Sequence, residues 1–152
     1  MTTEGHIRRA ATADIPALLP MLRDFAAAER IPWHEAAVTP ALTRLLEDTT
    51  LGFVLLADAG DGAQGYVVVT FGYDLEFAGR DAFVTELFVQ PAARRVGWGD
   101  RLLRAAAGEA RRAEVRALHL QVYADNAPAL ALYRRQGFEP SPRLFLSKRL
   151  AL

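Results

Sequence analysis

The chain has 152 residues, 51% of them hydrophobic and 24% charged, with a formal net charge of +0, no cysteine and three histidines. Zero cysteines exclude disulfides, thiolate nucleophiles and Cys-based metal sites, and His6, His34 and His119 are too scattered for a metal cluster, so no metal is expected. The charge is unevenly placed: residues 1–89 hold 13 acids and 6 arginines, net −7, and residues 90–152 hold 12 Lys plus Arg and 5 acids, net +7.

"HIRRA" (6–10) predicts a short first strand. Residues 12–30 predict a helix, with Thr12 or Asp14 near its cap, Leu18, Leu19, Leu22 and Phe25 at helical spacing, and Pro20 as a possible interruption. A second helix is expected over 39–48, with Thr39 as N-cap and Pro40 in the first helical position. Residues 53–58 and 64–74 read as strands joined by a Gly/Asp turn, and 80–91 as a strand stopped by Pro91. A helix over 99–117 follows, with Leu102, Leu103, Ala106, Ala110 and Ala113 on one face. A strand over 118–124 comes next, then a helix capped by Asn126 and ended by Gly137, and last a strand over 143–150.

Three consecutive strands imply an antiparallel meander, and the later strand–helix–strand implies a parallel step. The expected fold is therefore a single α/β domain over residues 1–152, its mixed, mostly antiparallel twisted sheet flanked by helices. No run approaches the ~18 apolar residues of a membrane span, and the first ten residues lack a signal core. A cytoplasmic protein with no membrane partner is the default. A neutral chain also lacks the basic excess of a nucleic-acid binder, so no nucleic acid is expected. A basic second half suits an anionic ligand and an acidic first half a cationic one, although solvated faces can sort this way by chance.

The chemistry gathers in "RRVGWGDRLL", where Arg94, Arg95, Gly97 and Gly99 precede a helix. A helix start presents unpaired N–H groups and about half a positive charge, and glycine lets backbone come close to a ligand. Together they suit a pyrophosphate. The pattern has no Lys-Ser/Thr of a P-loop and no third glycine of a dinucleotide fingerprint, so the pair alone is weak evidence.

"VTELFVQPAARRVGWGDRLL" followed by "LQVYADNAPALALYRRQGF" resembles the acetyl-CoA-binding core of the GNAT family of N-acetyltransferases. "GYVVVTFGYD" is similar to the spermidine/spermine (diamine) branch of that family. The resemblance implies a GNAT-like fold, acetyl-CoA as co-substrate, a small-molecule amine acceptor of polyamine-like or amino-acid-like kind, and a homodimer. It also implies that backbone at Phe88 and Val89 pairs with the pantetheine arm, that Arg94, Arg95, Val96, Gly97, Trp98 and Gly99 wrap the pyrophosphate, and that Asn126 contacts the cofactor. By the same resemblance Tyr133 lies near the sulfur as the acid, and Glu29, Tyr73 and Asp74 line the amine pocket.

The chemistry agrees. An amine attacks only as the free base, so a proton must be removed, and a departing thiolate gains from protonation by a phenol. Each residue also has a plainer reading. Tyr133 fits a core aromatic spaced with Leu130 and Leu132, and Glu86 fits a structural ion pair as well as a base. Trp33 and Trp98 fit packing, and His119 a satisfied or exposed imidazole. Thr85 stands where the diamine branch carries an acid, and Arg95 where the family's turn carries glycine. A protein or peptide acceptor and a non-catalytic acyl-CoA sensor are the alternative functions.

Overall fold

The computed structural model describes residues 5–151; the expected domain span also includes residues 1–4 and 152, which lie outside the described residues. Five strands form one sheet in the order β1-β2-β3-β4-β5. They are β1 (His6–Arg9), β2 (Gly52–Asp58), β3 (Ala63–Asp74), β4 (Gly79–Val89) and β5 (Ala117–Leu120). The first four are antiparallel neighbours and β5 runs parallel to β4, which is the mixed sheet expected from the element order. Helices α1 (Ile15–Ala28) and α2 (Glu35–Glu47) cover one face, and α3 (Trp98–Arg112) covers the other, with α4 (Ala127–Arg135) against it.

Strand alternation sorts the sheet into two layers. Phe53, Leu55, Val67, Val69, Ala82 and Val84 pack with Leu102, Leu103 and Ala106 of α3. Val54, Leu56, Tyr66, Val68 and Phe88 pack with Leu18, Met21, Leu22 and Leu42 of α1 and α2.

Four sequence expectations are corrected. Helix α1 runs through Pro20, because burial of Leu18, Met21, Leu22 and Ala26 offsets the backbone bond the proline forfeits. Helix α2 begins at Glu35, one turn before the expected cap; Thr39 lies inside it and its hydroxyl donates to the Glu35 carbonyl at 2.9 Å. Helix α3 stops at Arg112, where Glu114 takes a φ of +62° and the Val115 N–H returns to the Ala110 carbonyl at 2.9 Å. That is a Schellman closure without the usual glycine, so the sequence carried no stop signal. Residues 143–150 form no strand. Among the described residues no backbone hydrogen bond joins them to β5, and their contacts are side-chain ones, Arg143 to Glu76 at 2.9 Å and Phe145 to Phe83.

Candidate active site

The central feature is a split between β4 and β5. Their pairing runs from Asp81 opposite Ala117 to Val84 opposite Leu120 and then ends. At that point β4 carries a bulge, since Val69 faces Val84 while Val68 faces Glu86, leaving Thr85 as an extra residue. A bulge bends its strand and breaks the ladder. Residues 86–89 therefore stay paired to β3 alone, and the chain after Leu120 leaves toward α4. The bulge also shifts the alternation, so Glu86 and Phe88 join the α1/α2 layer while Leu87 and Val89 join the α3 layer.

The turn 94–99 lies beyond the end of β4. Arg95 has a φ of +67° and Gly97 a φ of +93°, following Arg94 at −74°. The turn delivers the chain into α3, with Gly97 as its N-cap, and the unpaired N–H groups of a helix start favour an anion. A Cβ built at Gly97 meets nothing within 4 Å, so this glycine serves its backbone angle and leaves that side open. Gly99 differs: its Cβ would touch Leu132 at 3.4 Å, so it lets α3 and α4 close on each other. Asp100 would repel an anion here, but Gln136 at 3.0 Å and Arg135 at 3.2 Å engage its carboxylate, and both hydrogen bonds hold its pKa below the usual range. Arg94 folds back, its Nε donating to the Val89 carbonyl at 2.9 Å and its guanidinium lying over Phe88.

Tyr133, on α4, packs edge-on against Phe138, and burial first and the charge of Glu29 second push its phenol pKa up. Glu29 caps the C-terminus of α1, where its carbonyl accepts from the Tyr123 hydroxyl at 3.0 Å and Arg30 covers the Tyr123 ring. The structure thus brings Glu29 and Tyr133 into one electrostatic neighbourhood from helices 100 residues apart in sequence.

On the α1/α2 side of β4, the Tyr66 hydroxyl donates to Glu86 Oε1 at 2.6 Å. Burial pushes the Glu86 carboxyl up from the ordinary range, and the Tyr66 hydrogen bond only partly opposes that. Along the same face, four ladder positions toward the start of β4, lies Asp81, 6% exposed and within 3.2 Å of His119 Nε2 on β5.

The remaining predicted residues fall as follows. Asn126 caps α4, its Oδ1 accepting from the Ala129 N–H at 3.3 Å. Trp98 is buried in the α3 layer under Arg101, so only its backbone can take part in the turn. Val96 is exposed on the turn. Tyr73 is 77% exposed and, by alternation from Val67, Val69 and Phe71, belongs to the α3 side. Asp74 accepts from the Glu76 N–H at 2.9 Å in the turn after β3. Among the described residues no hydrogen bond or ion pair joins Tyr73 or Asp74 to Glu29. Sequence reading missed Tyr66 and Asp81; the clue for Asp81 was a charge in a strand opposite Gly72, visible only once the register is known.

The "Acetyltransferase (GNAT) family" model matches residues 18–138. The L-methionine sulfoximine/L-methionine sulfone acetyltransferase of Pseudomonas aeruginosa is 29% identical over 145 residues, covering 92% of this chain and 83% of that protein. An integron cassette protein from the mobile metagenome of Cole Harbour Salt Marsh is 31% identical with a TM-score of 0.86, covering 97% of this chain and 91% of that one. An aminoglycoside N-acetyltransferase solved with CoA shares the fold at 15% identity and a TM-score of 0.84, over 99% and 98% of the two chains. With that family model spanning most of its length, and the sheet, split and glycine turn in the matched region, the chain belongs to the GNAT family and is an acetyl-CoA-dependent N-acetyltransferase.

Proposed function

We propose that the chain transfers acetyl to the primary amine of a small, amino-acid-like acceptor by direct attack within a ternary complex. The observation that carries the reading is the β4–β5 split at Thr85 with a glycine turn and the start of α3 at one end, at Arg94–Gly99. These residues fit an acyl-CoA: the open side of Gly97 leaves room for a phosphate, and Asp100 is already engaged. Acetyl-CoA supplies an activated acetyl thioester. Backbone of Phe88 and Val89 offers hydrogen-bonding groups along the split, and the Arg94–Gly99 turn holds the pyrophosphate through N–H groups at the start of α3 and the Arg95 charge, the Arg94 N–H being taken by the Pro91 carbonyl at 3.4 Å. Asn126 uses its Oδ1 as a cap and keeps its amide N–H₂ as a donor toward the cofactor arm.

Tyr133, kept protonated by burial and by Glu29, gives its proton to the departing thiolate. Glu86 meets the acceptor amine, holding the ammonium and able to take up a proton. Glu29 and Asp74 add negative potential on the acceptor side; Tyr73, which alternation sets on the α3 side, is not assigned to the acceptor pocket. The Pseudomonas aeruginosa relative is named for L-methionine sulfoximine and L-methionine sulfone, amino-acid-like amines, which favours that acceptor class over a polyamine. The homodimer belongs to the same proposal: exposed Leu144, Phe145, Leu146 and Leu150 supply apolar surface for a partner copy to cover, and light scattering tests it.

Release of free thiol from acetyl-CoA, with amino acids, methionine derivatives, polyamines and a peptide N-terminus as acceptors, tests the reading. Turnover concentrated in the amino-acid class is expected. Turnover only with polyamines or the peptide overturns the acceptor assignment.

A further inference from the structure

The Asp81–His119 pair is used by nothing above, and it is built as a proton acceptor. Asp81 is the one buried charged residue among the described residues, and the imidazole is its side-chain partner. An ionised carboxylate only accepts, so Nε2 carries the hydrogen and Nδ1 is left with a lone pair. No hydrogen bond from the described residues occupies Nδ1, and it is not a sealed, unsatisfied atom, so it opens to solvent. Gly72 fixes the other half of the pair: a Cβ there would sit 2.6 Å from Asp81 Oδ1, so only glycine lets this carboxylate lie flat against β3. Phe77 and Phe83 pack on the ring at 5.3 and 5.0 Å between centroids, which fixes its plane.

Position gives the pair its use. His119 stands opposite Phe83, one ladder step before the last pair at Val84 and Leu120, so the split opens beside it. It shares its face of the sheet with Glu86. Glu86 is half-buried with Tyr66 on one oxygen, and the His119 side chain is 31% exposed, so a proton on His119 has a way out to solvent. The other charged groups packed nearby are Glu76, paired with Arg143 at 2.9 Å, and Arg116, which lies over Gly79.

Building on the transferase reading, we infer that His119, oriented by Asp81, accepts the proton of the acceptor ammonium and passes it to solvent. In balanced form, one N–H proton goes to His119 Nδ1, and the nitrogen lone pair forms the N–C bond to the acetyl carbon. The C–S bond breaks with its electron pair on sulfur, and the second N–H proton offsets the one that Tyr133 gives the thiolate. Glu86 is then the anchor of the amine, and Asp81 is a positioning residue.

The test uses the full chain and the best amine of the panel, with kcat/KM followed from pH 5.5 to 9. Wild type is expected to show a rising limb that His119→Gln abolishes, with kcat down about 10²-fold and unchanged acetyl-CoA affinity by calorimetry. Asp81→Asn should lower kcat by a smaller factor, and Glu86→Gln should keep the limb. A His119→Gln enzyme that keeps the limb and most of its kcat overturns the inference; should that variant not fold, His119→Asn replaces it. A readout independent of turnover is the imidazole nitrogen NMR spectrum. The Nε2–H tautomer alone is expected, mixed tautomers in Asp81→Asn, and an Nδ1–H tautomer in wild type overturns the assignment. Absence of thiol release with every amine, beside the expected tautomer, would sink the transferase reading and leave the proton acceptor standing.

Discussion

The two faces of the sheet differ at equal depth. Toward α3, the strands present Ala82, Val84, Leu87 and Val89 to Leu102, Leu103 and Ala106, a layer of hydrocarbon. Toward α1 and α2, the same strand places Asp81 and Glu86, with Tyr66 from β3 and His119 from β5. Burying a charge without a partner costs several kcal/mol, and even a paired one gains little over a well-packed apolar residue. A protein built for stability alone would make both layers alike. On the proposed reading the polar layer is where chemistry is placed at the expense of packing, and variants on the two faces should fail in different ways.

The largest effect belongs to the apolar face. Leu102→Ala removes a fully buried side chain and should lower stability by about 4 kcal/mol, read as a lower denaturation midpoint, while the folded fraction keeps its kcat. Tyr133→Phe, at the junction of the two helical layers, should do the reverse. Turnover falls about 10²-fold, roughly 2.7 kcal/mol in the barrier, with acetyl-CoA affinity by calorimetry retained.

Glu86→Gln sharpens the contrast, because activity and stability should move in opposite directions. Turnover falls by a similar factor, about 10²-fold. The folded carboxyl binds its proton more tightly than the unfolded one, so wild type loses stability as pH rises from the ordinary glutamate range through the raised folded value. Gln removes that loss, and urea titrations at neutral pH should find the variant at least as stable as wild type. The smallest effect is at Arg95→Gly. Relief of the positive φ is worth about 1 kcal/mol, set against a lost cation, so the melting temperature should hold or rise while acetyl-CoA binding weakens slightly at low salt.

What could be read in advance follows the same division. The α3 layer was legible because hydrocarbon periodicity and two glycines carry it: Leu102, Leu103, Ala106 and Ala110 are all buried, and Gly137 ends α4 at a φ of +92°. The helix end at Glu114 was not, since it takes a positive φ without glycine. The polar layer was only half legible. Tyr133 and Glu86 stood out by motif, but Asp81 and His119 are neighbours through register, and Tyr66 reads as one more strand aromatic until β3 and β4 are aligned. The strand expected over 143–150 failed for a related reason, because a strand exists only by its pairing partner.

Thr85 makes β4 a strand of two parities. Before it, even-numbered residues face α3; after it, odd-numbered ones do. Deleting this one exposed residue would leave each ladder partner where it is, Val84 on Val69 and Glu86 on Val68, so every side chain would keep its present face. The loss would fall on the bend: an unbulged β4 could zip to β5 past Leu120 and shut the split. A one-residue deletion at a regular position of β4 is the opposite case, because it turns the side chains on one side of it to the other face.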